Sequence, residues 1–171
     1  MNGLGNDFVI IDQRHNEFDL NLNQIKFICN RDKGIGCDQL IYIRNSPYFG
    51  YPQLKFYNSD GGEINACGNG TRCVANYLMK EDSKKDIRVI TNDGMLSCRS
   101  KSNNIVSVFM NKPRFGWSQI PLSKDIDYKT IEFSYNELKV SNPFFVNIGN
   151  PHAIFFLNEV KKYNISDFGP I

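Results

Sequence analysis

Apolar residues recur in short runs, Phe8-Ile11, Leu40-Ile43, Leu54-Tyr57, Ile87-Thr91, Met95-Ser100, Ile105-Met110, Phe144-Ile148 and Ile154-Leu157, most of them ended by Gly, Pro, Asn or Asp. Short apolar runs rich in β-branched and aromatic residues, with such stops, predict β-strands. Ile87-Thr91 and Met95-Ser100 are separated by Asn92-Asp93-Gly94, whose Gly can take positive φ, so these runs are expected to pair as an antiparallel hairpin with Ile105-Met110 as a third strand. Helical spacing occurs twice. From Asn21 to Asn30, Leu22, Ile25 and Ile28 recur every third position behind polar capping candidates. From about Asn69 to Lys80, Val74 with Leu78 and Cys73 with Tyr77 form i,i+4 pairs expected on a buried face. Strand runs with a helix packed on them predict an α+β fold, with a break near Asn111-Lys112-Pro113 that divides the chain into domains 1–110 and 111–171.

The 171 residues suffice for one ordinary core, and 41% apolar with 22% charged residues is the composition of a folded globular chain. A net charge of +2 with scattered Lys and Arg argues against nucleic acid as a partner. Neither a bilayer-length apolar stretch nor a signal peptide is visible, so no membrane partner and a cytoplasmic location are expected. In that reducing setting the cysteines at 29, 37, 67, 73 and 98, without a CxxC pair, read as free thiols. The two histidines, His15 and His152, stand alone, and no metal is expected.

The candidate chemistry concentrates in the segment Asn58-Ser59-Asp60-Gly61-Gly62-Glu63-Ile64-Asn65-Ala66-Cys67-Gly68-Asn69-Gly70-Thr71-Arg72-Cys73, which follows a strand, crosses Gly-rich chain and enters a helix. A helix start offers unpaired N–H groups and partial positive charge to an anion. Cys67 stands just before it and is expected to be the reactive thiol with a lowered pKa, while Cys73, one turn inside, is expected in the core. The segment is neither a P-loop, lacking Gly-Lys-Ser/Thr, nor a dinucleotide fingerprint, lacking the third glycine and a following acidic residue. Gly3-Leu4-Gly5-Asn6-Asp7-Phe8, Gly34-Ile35-Gly36-Cys37-Asp38-Gln39 and Gly149-Asn150-Pro151-His152 each place an amide at a strand edge, which suits either a turn or a ligand.

Together, Gly3-Leu4-Gly5-Asn6-Asp7-Phe8, Gly36-Cys37-Asp38-Gln39, Asn58-Ser59-Asp60-Gly61, Cys67-Gly68-Asn69-Gly70-Thr71-Arg72-Cys73 and Gly149-Asn150-Pro151-His152 resemble, in order and spacing, the signatures of the diaminopimelate epimerases. The resemblance implies a β barrel-like sheet around a central helix in each of two pseudo-symmetric domains, the second incomplete here. It implies cofactor-independent interconversion of LL- and meso-diaminopimelate by two cysteines, in lysine and peptidoglycan precursor synthesis. Cys67 would be one acid/base cysteine and His152 a histidine beside the catalytic pair, with Asn6, Gln39, Asn58, Gly68, Asn69 and Asn150 on the substrate. The family's Cys-Gly-Ser-Gly signature is absent, so the chain alone is expected to be inactive, with a homodimer or a missing C-terminal half as possible partners. Racemisation of another amino acid on the same fold, or a non-catalytic binding domain, are the alternatives.

Overall fold

A computed structural model describes residues 1–47, 50–102, 104–127, 131–135, 138–141 and 143–162. By contacts the chain forms two compact units, Met1–Asn111 and Lys112–Ile171.

The first unit opens with β1 (Asn2–Gly3) and β2 (Asn6–Asp12), antiparallel across a turn in which Leu4 and Gly5 both have positive φ. Helix α1 (Leu22–Cys29) follows, started by a reciprocal cap in which Asn21 Oδ1 accepts from the Gln24 N–H and Gln24 Oε1 accepts from the Asn21 N–H. The chain returns as β3 (Gln39–Asn45), parallel to β2, and β4 (Pro52–Asn58), antiparallel to β3. A short β5 (Glu63–Ile64) pairs with β4 before helix α2 (Gly68–Glu81). Then β6 (Asp86–Thr91), β7 (Gly94–Ser102) and β8 (Ile105–Phe109) run as the expected meander. Its first turn holds two residues, Asn92 and Asp93, because Thr91 pairs directly with Gly94, whose φ of 114° suits glycine alone.

The resulting mixed sheet, β1-β2-β3-β4-β6-β7-β8, curls as a half-barrel about α2. Its inner face, Phe8, Ile41, Ile43, Leu54, Phe56, Val89, Leu96 and Val106, packs on Val74, Ala75, Leu78 and Met79. The outer face of β3 carries Leu40 and Tyr42, covered by Ile25 and Cys29 of α1. Strand β3 is thus buried on both sides, which is why it reads as an uninterrupted apolar run from Leu40 to Ile43. The next outward residue, Arg44, lies 4.9 Å over the Tyr42 ring and is 6% exposed, held by Gln13 and Asp19. Tyr77 corrects one expectation. It is 39% exposed rather than on the buried face, and its hydroxyl donates to Asp12 at 3.4 Å, because the phenol end can reach water and a carboxylate.

The second unit contains two antiparallel hairpins, β9 (Glu132–Tyr135) with β10 (Leu138–Ser141) and β11 (Phe144–Asn147) with β12 (Pro151–Ile154). Its fixed point is Asn147, 9% exposed, which accepts from Arg114 and the Gly149 N–H and donates to the Gln119 carbonyl. The strand expected at Ile154-Leu157 instead runs from Pro151 to Ile154. The turn at residues 148–150, with Gly149 at φ 111°, sets the hairpin register and moves the pairing toward the N-terminus. Residues 163–171, the end of the expected second domain, lie outside the described residues. Among the described residues no helix is long and apolar enough to cross a membrane.

Candidate active site

Strand direction gathers the candidate residues at one edge of the first unit. Strands β2 and β3 are parallel and begin there, with Phe8 opposite Gln39, and antiparallel β4 ends there, with Asn58 opposite Gln39. The chain then loops through β5 into the start of α2. Asn6, Gln39, Asn58, Cys67, Gly68 and Asn69 therefore share this edge.

Cys67 is the N-cap of α2, in extended conformation, and its Sγ accepts from the Gly70 N–H at 3.3 Å. Sulfur here does what a Ser or Asp oxygen does at other helix starts. Packing favours glycine at position 70, since a Cβ there would lie 2.7 Å from Ile41 Cδ1 and 3.4 Å from Cys67 Sγ and would force Ile41 to shift. The expected lowering of the Cys67 pKa is not found. Burial pushes the thiol up, and the N–H groups of Gly70 and Asn69 together with the Arg72 charge only partly oppose it. Position at a positive helix end was visible in the sequence, whereas the enclosure that outweighs it was not.

The other four cysteines are buried. Cys73 is in the core as expected, and its Sγ donates to the Asn2 carbonyl at 3.2 Å. Cys37 donates to Cys29 across 3.4 Å, and burial with this contact pushes Cys29 up to about 12. Burial does the same to Cys98. Cys67 is the one residue of the five that is not buried.

The amides are tied to one another. Gln39 Nε2 donates to Asn58 Oδ1 at 2.9 Å, and Gln39 Oε1 is enclosed with no partner among the described residues. Asn69 Nδ2 donates to Asn6 Oδ1 at 2.7 Å, Asn6 Nδ2 donates to Asp38 Oδ2 at 3.2 Å, and Arg72 donates to Asn69 Oδ1. Arg31 bridges Asp7 and Asp38, and holds the Asp7 carboxyl well below the usual carboxylate range. Asp38, Arg31, Arg72 and Thr71, whose buried hydroxyl has no partner, were not singled out by sequence reasoning. Asp38 and Arg72 sat inside the quoted motifs, but their contacts cross 32 and three residues respectively, and only the longer one needs the fold to be seen.

Asn150 and His152 belong to the second unit. Asn150 lies in the turn between β11 and β12, and His152 is on β12 opposite Val146, exposed, with Nδ1 2.8 Å from the Asn150 carbonyl. Among the described residues no three His, Cys, Asp or Glu side chains gather as metal ligands.

A family model described as diaminopimelate epimerase matches residues 1–116. A protein named diaminopimelate epimerase from Pelagibacter ubique (strain HTCC1062) is 43% identical over 173 residues, covering 99% of this chain and 62% of that protein. Its namesake from Phenylobacterium zucineum (strain HLK1) is 39% identical over 166 residues, covering 95% of this chain and 59% of that protein. The chain thus spans less than two thirds of the length of these curated relatives. Among solved structures, the Bacillus anthracis phenazine biosynthesis protein, PhzF family, is similar with a TM-score of 0.51 and 18% identity over 91% of this chain and 51% of that one. That likeness is one of fold, and with the sheet and helices described above it bears out the α+β class. Motif order, family-model match and identity across nearly the whole chain agree, and the chain belongs to the diaminopimelate epimerase family.

Proposed function

We infer that this polypeptide contributes one face of the active site of a cofactor-independent epimerase that interconverts LL- and meso-diaminopimelate, in the cytoplasmic supply of lysine and peptidoglycan precursors. The observation that carries the reading is the Cys67 thiol at the N-cap of α2, beside helix N–H groups and on the same edge as Asn6, Gln39, Asn58 and Asn69.

Loss of the α-proton from an amino acid with no cofactor as electron sink puts negative charge onto its carboxylate, which must be stabilised in place. N–H groups at Gly68-Asn69, aligned with the helix dipole, suit that task. Gln39 Oε1, an acceptor with no partner among the described residues, suits a donor such as the substrate ammonium. Inversion requires a base on one face of the α-carbon and an acid on the other. Burial favours the Cys67 thiol over the thiolate, and Cys67 exchanges the acid and base roles with the group on the opposite face according to the handedness of the substrate. The four remaining cysteines are enclosed in cores, so that opposite group lies outside them. Residues 1–110 then act as the N-terminal epimerase domain, and 111–171, which carry Asn150 and His152, as part of a second.

The test is α-proton exchange in deuterated water together with inversion of LL-diaminopimelate by the complete reading frame, against a Cys67→Ala control. Inversion lost in the control supports the reading. Inversion that survives Cys67→Ala removes it.

A further inference from the structure

We propose that Asp38 and Arg72 are positioning residues that dictate which way the amides of Asn6 and Asn69 face, and so make both present N–H groups to the ligand; this rests on the reading of the edge as an amino-acid site.

A carboxamide can turn either end to a neighbour, exchanging donor for acceptor with almost no change in shape. Asn6 and Asn69 are therefore ambivalent as a pair. Their surroundings are not. A carboxylate accepts and never donates, and a guanidinium donates and never accepts. Asp38 faces Asn6 at 3.2 Å, so the end of Asn6 turned to it must be NH2. Arg72 faces Asn69, so the end of Asn69 turned to it must be the carbonyl. The bond between the amides is then fixed as Asn69 Nδ2 to Asn6 Oδ1, at 2.7 Å. Turning one amide alone would set oxygen against oxygen or N–H against N–H. Turning both would set a carbonyl against the carboxylate and an NH2 against the guanidinium. The anion and the cation therefore polarise the chain in one direction, each bond strengthening the next.

Asp38 is itself held in place. Its Oδ1 accepts from Arg31 at 2.8 Å and its Oδ2 from the Asp7 N–H at 3.0 Å, while the Asp38 N–H donates to the Asp7 carboxylate at 2.9 Å. Arg31 grips both oxygens of Asp7 at 2.8 and 2.9 Å. The acceptor end of the relay cannot swing away without breaking this reciprocal pair.

The relay uses one N–H of each amide, and among the described residues no acceptor takes the second N–H of Asn6 or of Asn69. Both residual protons call for an acceptor, so the relay selects a carboxylate over its neutral, N–H-bearing carboxamide. Asp38 and Arg72 thereby govern specificity without touching the ligand.

The first measurement is the side-chain amide spectrum of ¹⁵N-labelled protein. One proton of each of Asn6 and Asn69 should be shifted and slowed in exchange with water. Asp38→Asn, nearly isosteric, lets either end face Asn6 and should reduce that slowing roughly tenfold, the order expected for a hydrogen bond to a charged group. Arg72→Met should do the same at Asn69, and Arg72→Lys, which still only donates, should restore it. The second measurement, on the complete reading frame, is calorimetric binding of meso-diaminopimelate against its α-carboxamide. The preference for the carboxylate should fall by about tenfold in Asp38→Asn, in line with the same bond, and be kept in Arg72→Lys. Amide protons indifferent to both substitutions overturn the proposal, as does an unchanged preference once the protons have moved. A relay visible in the spectra of a protein that binds neither compound upholds the positioning role and refutes the diaminopimelate reading instead.

Discussion

The Gly70 N–H donates to Cys67 Sγ at 3.3 Å, so the thiol that chemistry would use is also the cap of the helix beneath it. Capping favours the thiolate and burial favours the thiol, and burial prevails. Two roles meet at one sulfur, and they pull its protonation in opposite directions.

Alkylation reads the outcome. Cys67, the one cysteine of the five that is not buried, should label before Cys29, Cys73 and Cys98, but with a rate that keeps rising with pH beyond the ordinary cysteine value. A raised pKa means the thiolate fraction is small at neutral pH and grows above it. Iodoacetamide labelling with peptide mapping across pH 6 to about 10 checks this, and a plateau already reached near neutrality contradicts it.

The 171-residue chain alone should not invert LL-diaminopimelate, since one face of the α-carbon lacks a proton-transfer group among its enclosed cysteines. Adding a polypeptide that carries the Cys-Gly-Ser-Gly half should restore turnover where the halves dock. Exchange of the α-proton without inversion fits a single working face, whereas robust inversion by the chain alone sinks the two-cysteine reading.

Gly70→Ala should lower stability by about 1–2 kcal/mol. Overpacking against a filled core costs about 1–3 kcal/mol, and the gain in helix propensity returns about 0.5–1 kcal/mol. The new methyl presses on Ile41 and lies beside Cys67 Sγ, so the labelling rate of Cys67 should change as well. Urea unfolding and the same labelling assay decide it, and a variant as stable as the parent with unaltered Cys67 would show that Ile41 yields freely.

Acid should destabilise the first unit. Arg31 beside Asp7, Arg14 beside Asp12 and Arg44 beside Asp19 each hold a carboxyl below its ordinary value. A carboxyl with a depressed folded-state pKa stabilises fully above its unfolded value, about 3.9, and loses that contribution as pH falls through the folded one. Urea midpoints should hold from neutrality down to about pH 5 and fall below about pH 4. Asp7→Asn should flatten that fall, and a midpoint that rose on acidification would reverse the sign.

Much of the site was legible because its residues punctuate elements. Cys67 announces a helix start through its flanking glycines, and Asn6, Gln39 and Asn58 sit where short apolar runs begin or end. What was not legible depended on direction and enclosure. A short apolar run carries no sign of whether its neighbour is parallel, so the β2–β3 pairing that aligns the edge was invisible. Periodicity likewise placed Tyr77 inside without weighing its hydroxyl, and a one-dimensional reading of Cys67 could see the helix terminus but not the walls around it.

The bond between Asn6 and Asn69 spans 63 residues of sequence, whereas β6, β7 and β8 meet their neighbours across tight turns. Loop closure is costly before long-range contacts reward it, so the meander should organise early and the binding edge late during refolding. A stopped-flow experiment that follows Cys67 labelling should therefore place maturation of the edge in the slowest phase, after most of the sheet has formed. The family's signature residues would then act as a completion mark, recognising ligand once β2 has docked against the start of α2.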